Sequence, residues 1–168
     1  MDLRGFVRRL VVPPGFEMPQ ELTYEDLRAR ALSRADLADD VAGINASMDL
    51  IRRTRGGKWP TEAVTEDYNY IDMVWHECEF RDHGSFTYVL RDSNEGYLGC
   101  LYLYPMGGRT PLTDEVLAHD VDVSWWVTPP AYEAGYYDKT YKALQTWLAD
   151  ALPFESPCYS NREIPPLT

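Results

Sequence analysis

The hydrophobic pattern is clearest over residues 121–128, where apolar and polar positions alternate. One predicted face holds Val121, Val123, Trp125 and Val127, and the other holds Asp122, Ser124, Trp126 and Thr128. A period of two is typical of a β-strand with two distinct faces. We expect Pro129 and Pro130 to end this strand, because proline has no backbone N–H to donate to a neighbouring strand.

The next segment changes to a helical period. One apolar stripe is formed by Tyr137, Tyr141, Leu144, Leu148 and Leu152. A strand, a short loop and an amphipathic helix are typical of half a strand–helix–strand unit. Ligands bind in such units where the loop leaves the strand's carboxyl end, and free amides at the helix start favour an anion. We therefore expect any small-molecule site to lie at this loop.

Residues 64–78 carry a second helical pattern. Its apolar positions recur at steps of four, three, four and three, and they are Val64, Tyr68, Ile71, Trp75 and Cys78. We expect Thr61 to cap this helix and His83-Gly84 to end it. The stripe is predicted to be mostly buried against a sheet, so that aspartate at Ile71 would unfold the domain.

The rest of the chain predicts one more helix and four more strands. The helix begins near Ser33 and runs to about Ser47 or beyond, and the strands cover residues 27–32, 85–92, 97–105 and 157–160. Residues 93–96 are rich in turn formers and predict a hairpin between the second and third of these. The three strands from 85 to 127 can pair antiparallel, whereas the strand after the last helix must run parallel to residues 121–127.

The N-terminal segment differs from the rest of the chain. Residues 1–24 contain Pro13, Pro14 and Pro19 and show no sustained period, which predicts an arm along the domain surface. Residues 25–168 are predicted to form a single domain, since a chain of 168 residues suits one core.

The composition narrows the class of partner. The net charge of −11 argues against a nucleic-acid partner, which would require a basic surface. Solubility is the preferred explanation of this acidity, and an acidic cleft that attracts amines remains the alternative. The three cysteines are widely spaced and the three histidines lack metal-ligand spacing, so we expect reduced thiols, no metal and a cytoplasmic location. No stretch is long and apolar enough to predict a membrane span.

Three segments are informative together: the hairpin FTYVLRDSNEGYLGCLYLYP, the strand VSWWV followed by T-P, and the helix that begins near Tyr137. Their combination resembles the GNAT superfamily of N-acetyltransferases. The resemblance covers about residues 25–160, and the chain is also similar to a bacterial subgroup of acetyltransferase-like proteins. It implies an α/β fold with a mixed, mostly antiparallel sheet flanked by helices. The resemblance also leads us to expect a domain shortened at its C-terminus, since a complete member of that family continues with another helix and two strands.

The same resemblance implies a place for acetyl-CoA, between the central strand and the strand after the helix. The pantetheine arm would pair with the central strand's backbone, and the pyrophosphate would lie at the loop and the helix start. The residues implied in cofactor binding are Trp126, Val127, Thr128, Tyr132, Gly135, Tyr136 and Tyr137. We expect Trp126 and Ser124 to face a groove beside Gly135, with Val123 and Trp125 toward packed helices, or the reverse.

The loop departs from the family pattern of Arg or Gln, two residues, Gly, one residue, then Gly or Ala. Only Gly135 matches, since Tyr132 and Tyr137 occupy the other two places. Glu133 and Asp138 add negative charge beside the expected anion, although Asp138 at a helix start is equally explained as a cap. The basic segment at 52–58 is interpreted as a solvated loop, with a phosphate contact to CoA as the alternative.

The catalytic candidates are Asp122 as a base and Ser124 or Tyr159 as the donor of a proton to the leaving thiolate. A structural role for Asp122 is the simpler explanation, because carboxylates on strands are common. The expected activity is transfer of an acetyl group from acetyl-CoA to a small amine. The alternative is a non-catalytic relative that binds a ligand or partner in the same cleft. We expect a monomer or a homodimer.

Overall fold

A computed structural model describes residues 9–166, which form one sheet with helices on both faces. The strands are β1 (Glu21–Tyr24), β2 (Leu27–Ala31), β3 (Phe86–Arg91), β4 (Tyr97–Tyr104), β5 (Val121–Val127) and β6 (Pro157–Tyr159). The helices are α1 (Leu37–Thr54), α2 (Glu66–Arg81), α3 (Pro129–Glu133) and α4 (Tyr136–Asp150). Short 3-10 turns lie at Arg34–Asp36 and Val116–Ala118.

The six strands lie in sequence order, β1-β2-β3-β4-β5-β6. All neighbours are antiparallel except β5 and β6, which run parallel because α4 crosses between them. The predicted α/β fold with a mostly antiparallel sheet is therefore confirmed. At Gly99 a Cβ would lie 2.1 Å from the Trp126 carbonyl oxygen, so the close approach of β4 to β5 requires glycine there.

The sheet separates two cores. On one face α4 buries its predicted stripe, and Trp125 stacks on Tyr141 with ring centroids 5.4 Å apart. On the other face α1 and α2 cover Trp126, whose indole N–H donates to the Tyr102 hydroxyl at 2.8 Å. Trp125 and Trp126 are both fully buried. The prediction that one face of β5 opens onto a groove is therefore wrong at these two residues, because helices cover both sides.

Helix α2 exists as predicted, but the prediction of its buried face is wrong. Tyr68, Ile71 and Trp75 are 64%, 59% and 63% exposed. The helix instead packs through another face, and its buried residues are Asn69, Met73 and Phe80. Its N-cap is Thr65 rather than Thr61, since the Thr65 hydroxyl accepts the Tyr68 amide at 3.2 Å.

The basic segment at 52–58 and the N-terminal segment at 1–24 also differ in structure from the sequence-based predictions. Helix α1 continues through Arg52 and Arg53, which the sequence interpretation placed in a loop. Arg55 follows the helix and is buried rather than solvated. The segment assigned to an arm contributes strand β1 and the buried residues Leu10 and Met18. The part of that arm before residue 9 lies outside the described residues.

Candidate functional site

The site expected from the sequence lies where β5 and β6 part. The two strands pair as far as Val123 opposite Tyr159, and the Ser160 amide still donates to the Val123 carbonyl at 2.9 Å. Beyond this point the side chain of Asn161 takes the place of a strand. The Trp125 amide donates to Asn161 Oδ1 at 3.1 Å, and Asn161 Nδ2 donates to the Trp125 carbonyl at 2.9 Å. A single carboxamide thus satisfies both backbone groups of Trp125.

The segment after β6 then crosses to the end of α1. The Arg162 amide donates to the Arg55 carbonyl at 3.2 Å, and the Glu163 amide donates to the Thr54 carbonyl at 2.9 Å. The hydroxyl of Tyr137 lies at the centre of this crossing. It accepts from Asn161 Nδ2 at 2.7 Å and donates to the Glu163 carbonyl at 2.5 Å. Residues 160–163 therefore fill the gap between β5, α1 and the start of α4.

Tyr137 belongs to the core as much as to this gap. Its side chain is 1% exposed, and its ring lies 5.1 Å from that of Trp125. Burial raises the pKa of the Tyr137 hydroxyl, which therefore remains a proton donor at neutral pH. Tyr132 joins the same group, since its hydroxyl donates to a Glu163 carboxylate oxygen. The two tyrosines that replace family residues in the loop thus hold the crossing segment in place.

The loop after β5 is compact. Residues 129–133 form helix α3, and the Ala134 and Gly135 amides donate back to Pro130 and Tyr132 carbonyls at 3.0 Å each. Gly135 has φ 86°, a left-handed conformation that favours glycine, and α4 begins at the next residue. The first amides of a helix have no acceptor within it, so those of residues 136–138 are the donors that an anion would use here.

Acidic side chains flank that helix start. The Tyr136 hydroxyl and Lys139 Nζ both donate to Asp26, at 2.6 Å each, and Lys139 also lies 3.3 Å from Glu25. The hydrogen bonds from Lys139 and Tyr136 lower the pKa of Asp26. Glu133 and Asp138 are exposed. The residues of the loop therefore fit a pyrophosphate poorly, whereas the backbone of Trp125 fits an amide well.

Asp122 and Ser124 lie together on the face of β5 that points away from α4. Both are buried, and neither reaches solvent. Asp122 accepts from the Thr110 hydroxyl at 3.1 Å and from the Ser160 hydroxyl. Ser124 accepts from Arg55 Nε at 3.1 Å. Both carboxylate oxygens of Asp122 are therefore already hydrogen-bonded. Its link to the segment 160–163, which fills the gap, is the hydrogen bond from Ser160.

Two arginines lie on this same face of β5, and the sequence analysis did not single out either of them as a site residue. Arg55 lies over the Tyr102 ring, 4.0 Å from its centroid. Arg109 donates to the Ser160 hydroxyl at 2.7 Å and to the Arg55 carbonyl at 2.6 Å. Burial, and then the nearby charge of Arg55, lower the pKa of Arg109 to about 10. Arg109 lies in a loop without periodicity, so no signal in the sequence could have placed it here.

Tyr159 is separate from Asp122 and Ser124. Its ring packs edge-on against Tyr141 of α4, with centroids 5.1 Å apart, on the other side of the sheet. Burial raises the pKa of Tyr159 to about 12. Cys158 pairs with Asp122 across β5 and β6, and burial raises the pKa of its thiol too. The structure therefore brings two of the three catalytic candidates together.

A cavity of about 600 Å³ opens beside this network, between α2 and the end of β4. Its walls include Trp75, His76, Glu79 and Tyr104, and Tyr104 is paired with Asp122 across β4 and β5. Burial alone would lower the pKa of His76, but hydrogen bonds that its ring donates to Asp72 and Glu79 outweigh burial and raise the pKa to about 9. The imidazole is therefore charged at neutral pH.

Within residues 9–166 no group of three His, Cys, Asp or Glu side chains is arranged to hold a metal ion. None of the helices in the same range is both long and apolar enough to cross a membrane.

Comparison with solved structures shows which known fold this chain shares. Over 79% of its length the chain superimposes on 67% of RimL, an alpha-N-protein acetyltransferase for a ribosomal protein, in complex with coenzyme A, with a TM-score of 0.59 and 12% identity. The chain has the GNAT acetyltransferase fold. MccE, a microcin self-immunity acetyltransferase in complex with acetyl-CoA and AMP, gives a TM-score of 0.59 at 9% identity, over 80% of this chain and 70% of MccE.

A third solved structure supports the same GNAT fold. A ribosomal-protein-alanine acetyltransferase from Vibrio fischeri matches with a TM-score of 0.58 and 12% identity, over 78% of this chain and 68% of that one. No protein-family model matches the sequence. A search of curated proteins likewise gives no significant match. The likeness to the GNAT enzymes is therefore a likeness of fold.

Proposed function

We propose that the protein transfers an acetyl group from acetyl-CoA to an amine. The carrying observation is the pairing of a carboxamide with both backbone groups of Trp125, where β5 and β6 part. The pantetheine arm of CoA is a chain of amides, and an amide in this place would make the same two hydrogen bonds. In support, two solved structures with this fold were determined with CoA or acetyl-CoA bound.

The acceptor in this proposal is a primary amine. The family resemblance suggests a small amine, and the fold neighbours named for ribosomal proteins extend the class to amines at the N-terminus of a polypeptide. Attack on the thioester requires that the amine lose a proton and that the leaving thiolate gain one. The cavity beside Tyr104 is where we place the acceptor, because its wall is the cross-strand neighbour of Asp122.

Asp122 acts in this proposal as a positioning residue. It holds the Ser160 hydroxyl, and Ser160 begins the segment that fills the gap. Ser124 has a parallel role, because it fixes Arg55 against the Tyr102 ring. Tyr159 lies on the other side of the sheet, so it is not the proton donor for an acceptor bound beside Tyr104.

Cofactor binding then requires that Asn161 leave Trp125. Replacing Asn161 with alanine removes the competing carboxamide, so Asn161→Ala should bind acetyl-CoA more tightly than the unmodified protein. Asn45 provides a matched control, since its carboxamide pairs in the same way with the Val64 amide at 2.8 Å and the Val64 carbonyl at 3.0 Å. Asn45→Ala should leave affinity unchanged. Calorimetric titration of the three proteins with acetyl-CoA measures this.

The second candidate function is a non-catalytic protein of the same fold. The observation that favours it is the closure of the gap by residues 160–163, which are bonded to β5, α1 and α4 together. On this interpretation neither the unmodified protein nor Asn161→Ala binds acetyl-CoA at millimolar concentration. That outcome would remove the acetyltransferase proposal.

A further inference from the structure

The exposed stripe of α2 is an unexplained feature of the surface. Tyr68, Ile71 and Trp75 are spaced by three and four residues, so they lie on one side of the helix. Each is about 60% exposed, although the same helix buries Met73 and Phe80. Side chains of this size together present on the order of 300 Å² of apolar surface, which is comparable with patches that mark interaction sites.

Each end of the stripe opens into a cavity. Tyr68 lines one of about 290 Å³, together with Trp59 and Pro60. Trp75 lines the cavity of about 600 Å³ beside Tyr104. The three side chains therefore join two depressions along a helix of 16 residues. This shape suits an elongated segment that places apolar side chains at both ends and along the stripe.

Carboxylates dominate the charge around the stripe, although Arg34 pairs with Glu77 of α2 at 3.1 Å and Arg9 lines the cavity beside Trp75. Residues 61–80 contain six carboxylates and no lysine or arginine. Glu66 and Asp67 lie in the first turn, where they also stabilise the helix dipole. Asp72 and Glu79 flank Trp75, and among the basic groups of residues 9–166 the ion-pair partner of both is His76, at 3.3 Å and 3.6 Å. A partner here meets an apolar stripe with an acidic border.

We propose that this stripe binds a basic amphipathic segment of another polypeptide. Such a segment would place its apolar residues on Tyr68, Ile71 and Trp75 and its lysines or arginines against the bordering carboxylates. A second copy of this chain fits less well, because two acidic borders would face one another. Its contact would also fall short of the roughly 800 Å² per partner of a standard interface. The surface shares the cavity beside Tyr104 with the acceptor site proposed above, but the exposed stripe and its acidic border carry this inference whether or not the protein binds acetyl-CoA.

The test uses two synthetic peptides of 14 residues with leucines at helical spacing. One carries lysine at every polar position and the other carries glutamate. Calorimetry should show that the lysine peptide binds and the glutamate peptide does not, with weaker binding at high salt because exposed charges are screened. Glu62 lines the cavity beside Tyr68, and Glu62→Gln combined with Asp67→Asn should weaken binding of the lysine peptide several-fold.

Substitutions on the stripe show whether the lysine peptide binds at this surface or is only attracted by the negative charge of the whole protein. Trp75→Ala and Ile71→Ser should each weaken the lysine peptide about tenfold or more, as expected for central apolar anchors. Leu117→Ala is the matched control, since Leu117 is also exposed but lies outside α2, and it should have no effect. Equal loss in Leu117→Ala, or equal binding of both peptides, would overturn the proposal. So would a dimer in sedimentation that Trp75→Ala dissociates.

Discussion

Helices α2 and α4 carry apolar stripes of the same spacing, but only α4 buries its stripe. Leu144 of α4 is fully buried, whereas Ile71 of α2 is more than half exposed. Both helices pack on the sheet, and they differ in what lies opposite the stripe. The polar side of α4 faces solvent, whereas α2 has a second face with Met73 and Phe80 that enters the core. A helix with two apolar faces can be oriented in two ways, and its periodicity does not decide between them.

A second difference between the two helices is the chemistry of their buried faces. Helix α4 packs through aliphatic and aromatic side chains against Trp125, and its buried Thr140 donates to the Tyr136 carbonyl of the same helix at 2.7 Å. Helix α2 also buries polar groups, and Asn69 Nδ2 donates to Asp40 of α1 at 2.8 Å. A buried polar group needs a specific partner, and here the partners on α1 and β3 fix which side of α2 turns inward. The sequence shows the polar residue but not its partner.

The largest expected effect comes from aspartate on the two stripes. Leu144→Asp buries an unpaired charge and should cost at least about 5 kcal/mol, which lowers the Tm by more than about 10 °C or prevents folding. Ile71→Asp should leave the Tm within about 2 °C, because solvent reaches the new carboxylate. Circular dichroism melts compare the two variants. A large loss in Ile71→Asp would mean that the stripe of α2 is buried after all.

Truncation of the two faces of α2 should give a smaller but clear difference. Met73→Ala leaves a cavity next to Ile44 and Ile51 and should cost about 2–5 kcal/mol. Trp75→Ala removes an exposed ring and should change stability by less than about 0.5 kcal/mol. Urea unfolding followed by circular dichroism measures both free energies. If the two costs were equal, the assignment of the faces would be incorrect.

The histidine on α2 should make stability depend on pH. The pKa of His76 is raised to about 9 in the folded protein, above the usual 6.5. Its contribution is therefore complete below pH 6.5 and is lost as the pH rises through 9, by at most about 3 kcal/mol. Asp72, Glu79 and Thr87 contact it, and the Tyr102 ring of β4 lies 6.2 Å away between centroids.

Unfolding free energies between pH 6 and pH 10 check this prediction. The informative comparison is the slope of the unmodified protein minus the slope of His76→Gln, since other groups titrate in both. We expect that difference to be negative, because only the unmodified protein loses the stabilisation by charged His76 as the pH rises. Parallel slopes would show that folding does not raise the pKa of His76.

The smallest expected effect concerns the helix starts. Thr65→Ala removes the cap of α2 and should cost about 1 kcal/mol. The equivalent position of α4 is Gly135, which has no side-chain cap to lose. Its left-handed φ would instead oppose Gly135→Ala, by a similar amount. Urea unfolding measures the free energies of both variants. Thr65→Ser keeps a hydroxyl and should restore the stability that Thr65→Ala loses, which assigns that loss to the hydrogen bond and not to backbone strain.

The order of elements could be predicted because β5, α4 and the β3–β4 hairpin have strong local patterns. Strand β1 was missed, since its four residues show too little alternation to stand out from the preceding prolines. The end of α1 was placed too early because Arg52 and Arg53 are polar, although they continue the helix on its outer side.

The candidate site could be predicted only in part. The junction of β5 and its loop follows from local pattern, and the structure indeed brings Gly135, Tyr136 and Tyr137 to the start of α4. The bond between Asn161 and Trp125 could not be predicted, because it depends on how two strands 36 residues apart separate in space. Arg109 was missed for the same reason, since its acceptors on residues 55 and 160 are distant in the sequence.

The order of the strands has a consequence for synthesis on the ribosome. Each strand from β2 to β5 pairs with one already made, whereas β5 receives its last neighbour only after α4 has been translated. At about 5–20 residues per second, the free edge of β5 remains open for a few seconds in every nascent chain. That edge is rich in valine and tryptophan, and such segments associate with one another when unpaired. The soluble yield should therefore depend on the rate of translation and on the growth temperature. This dependence should be stronger than the free energy of unfolding of the finished protein would suggest.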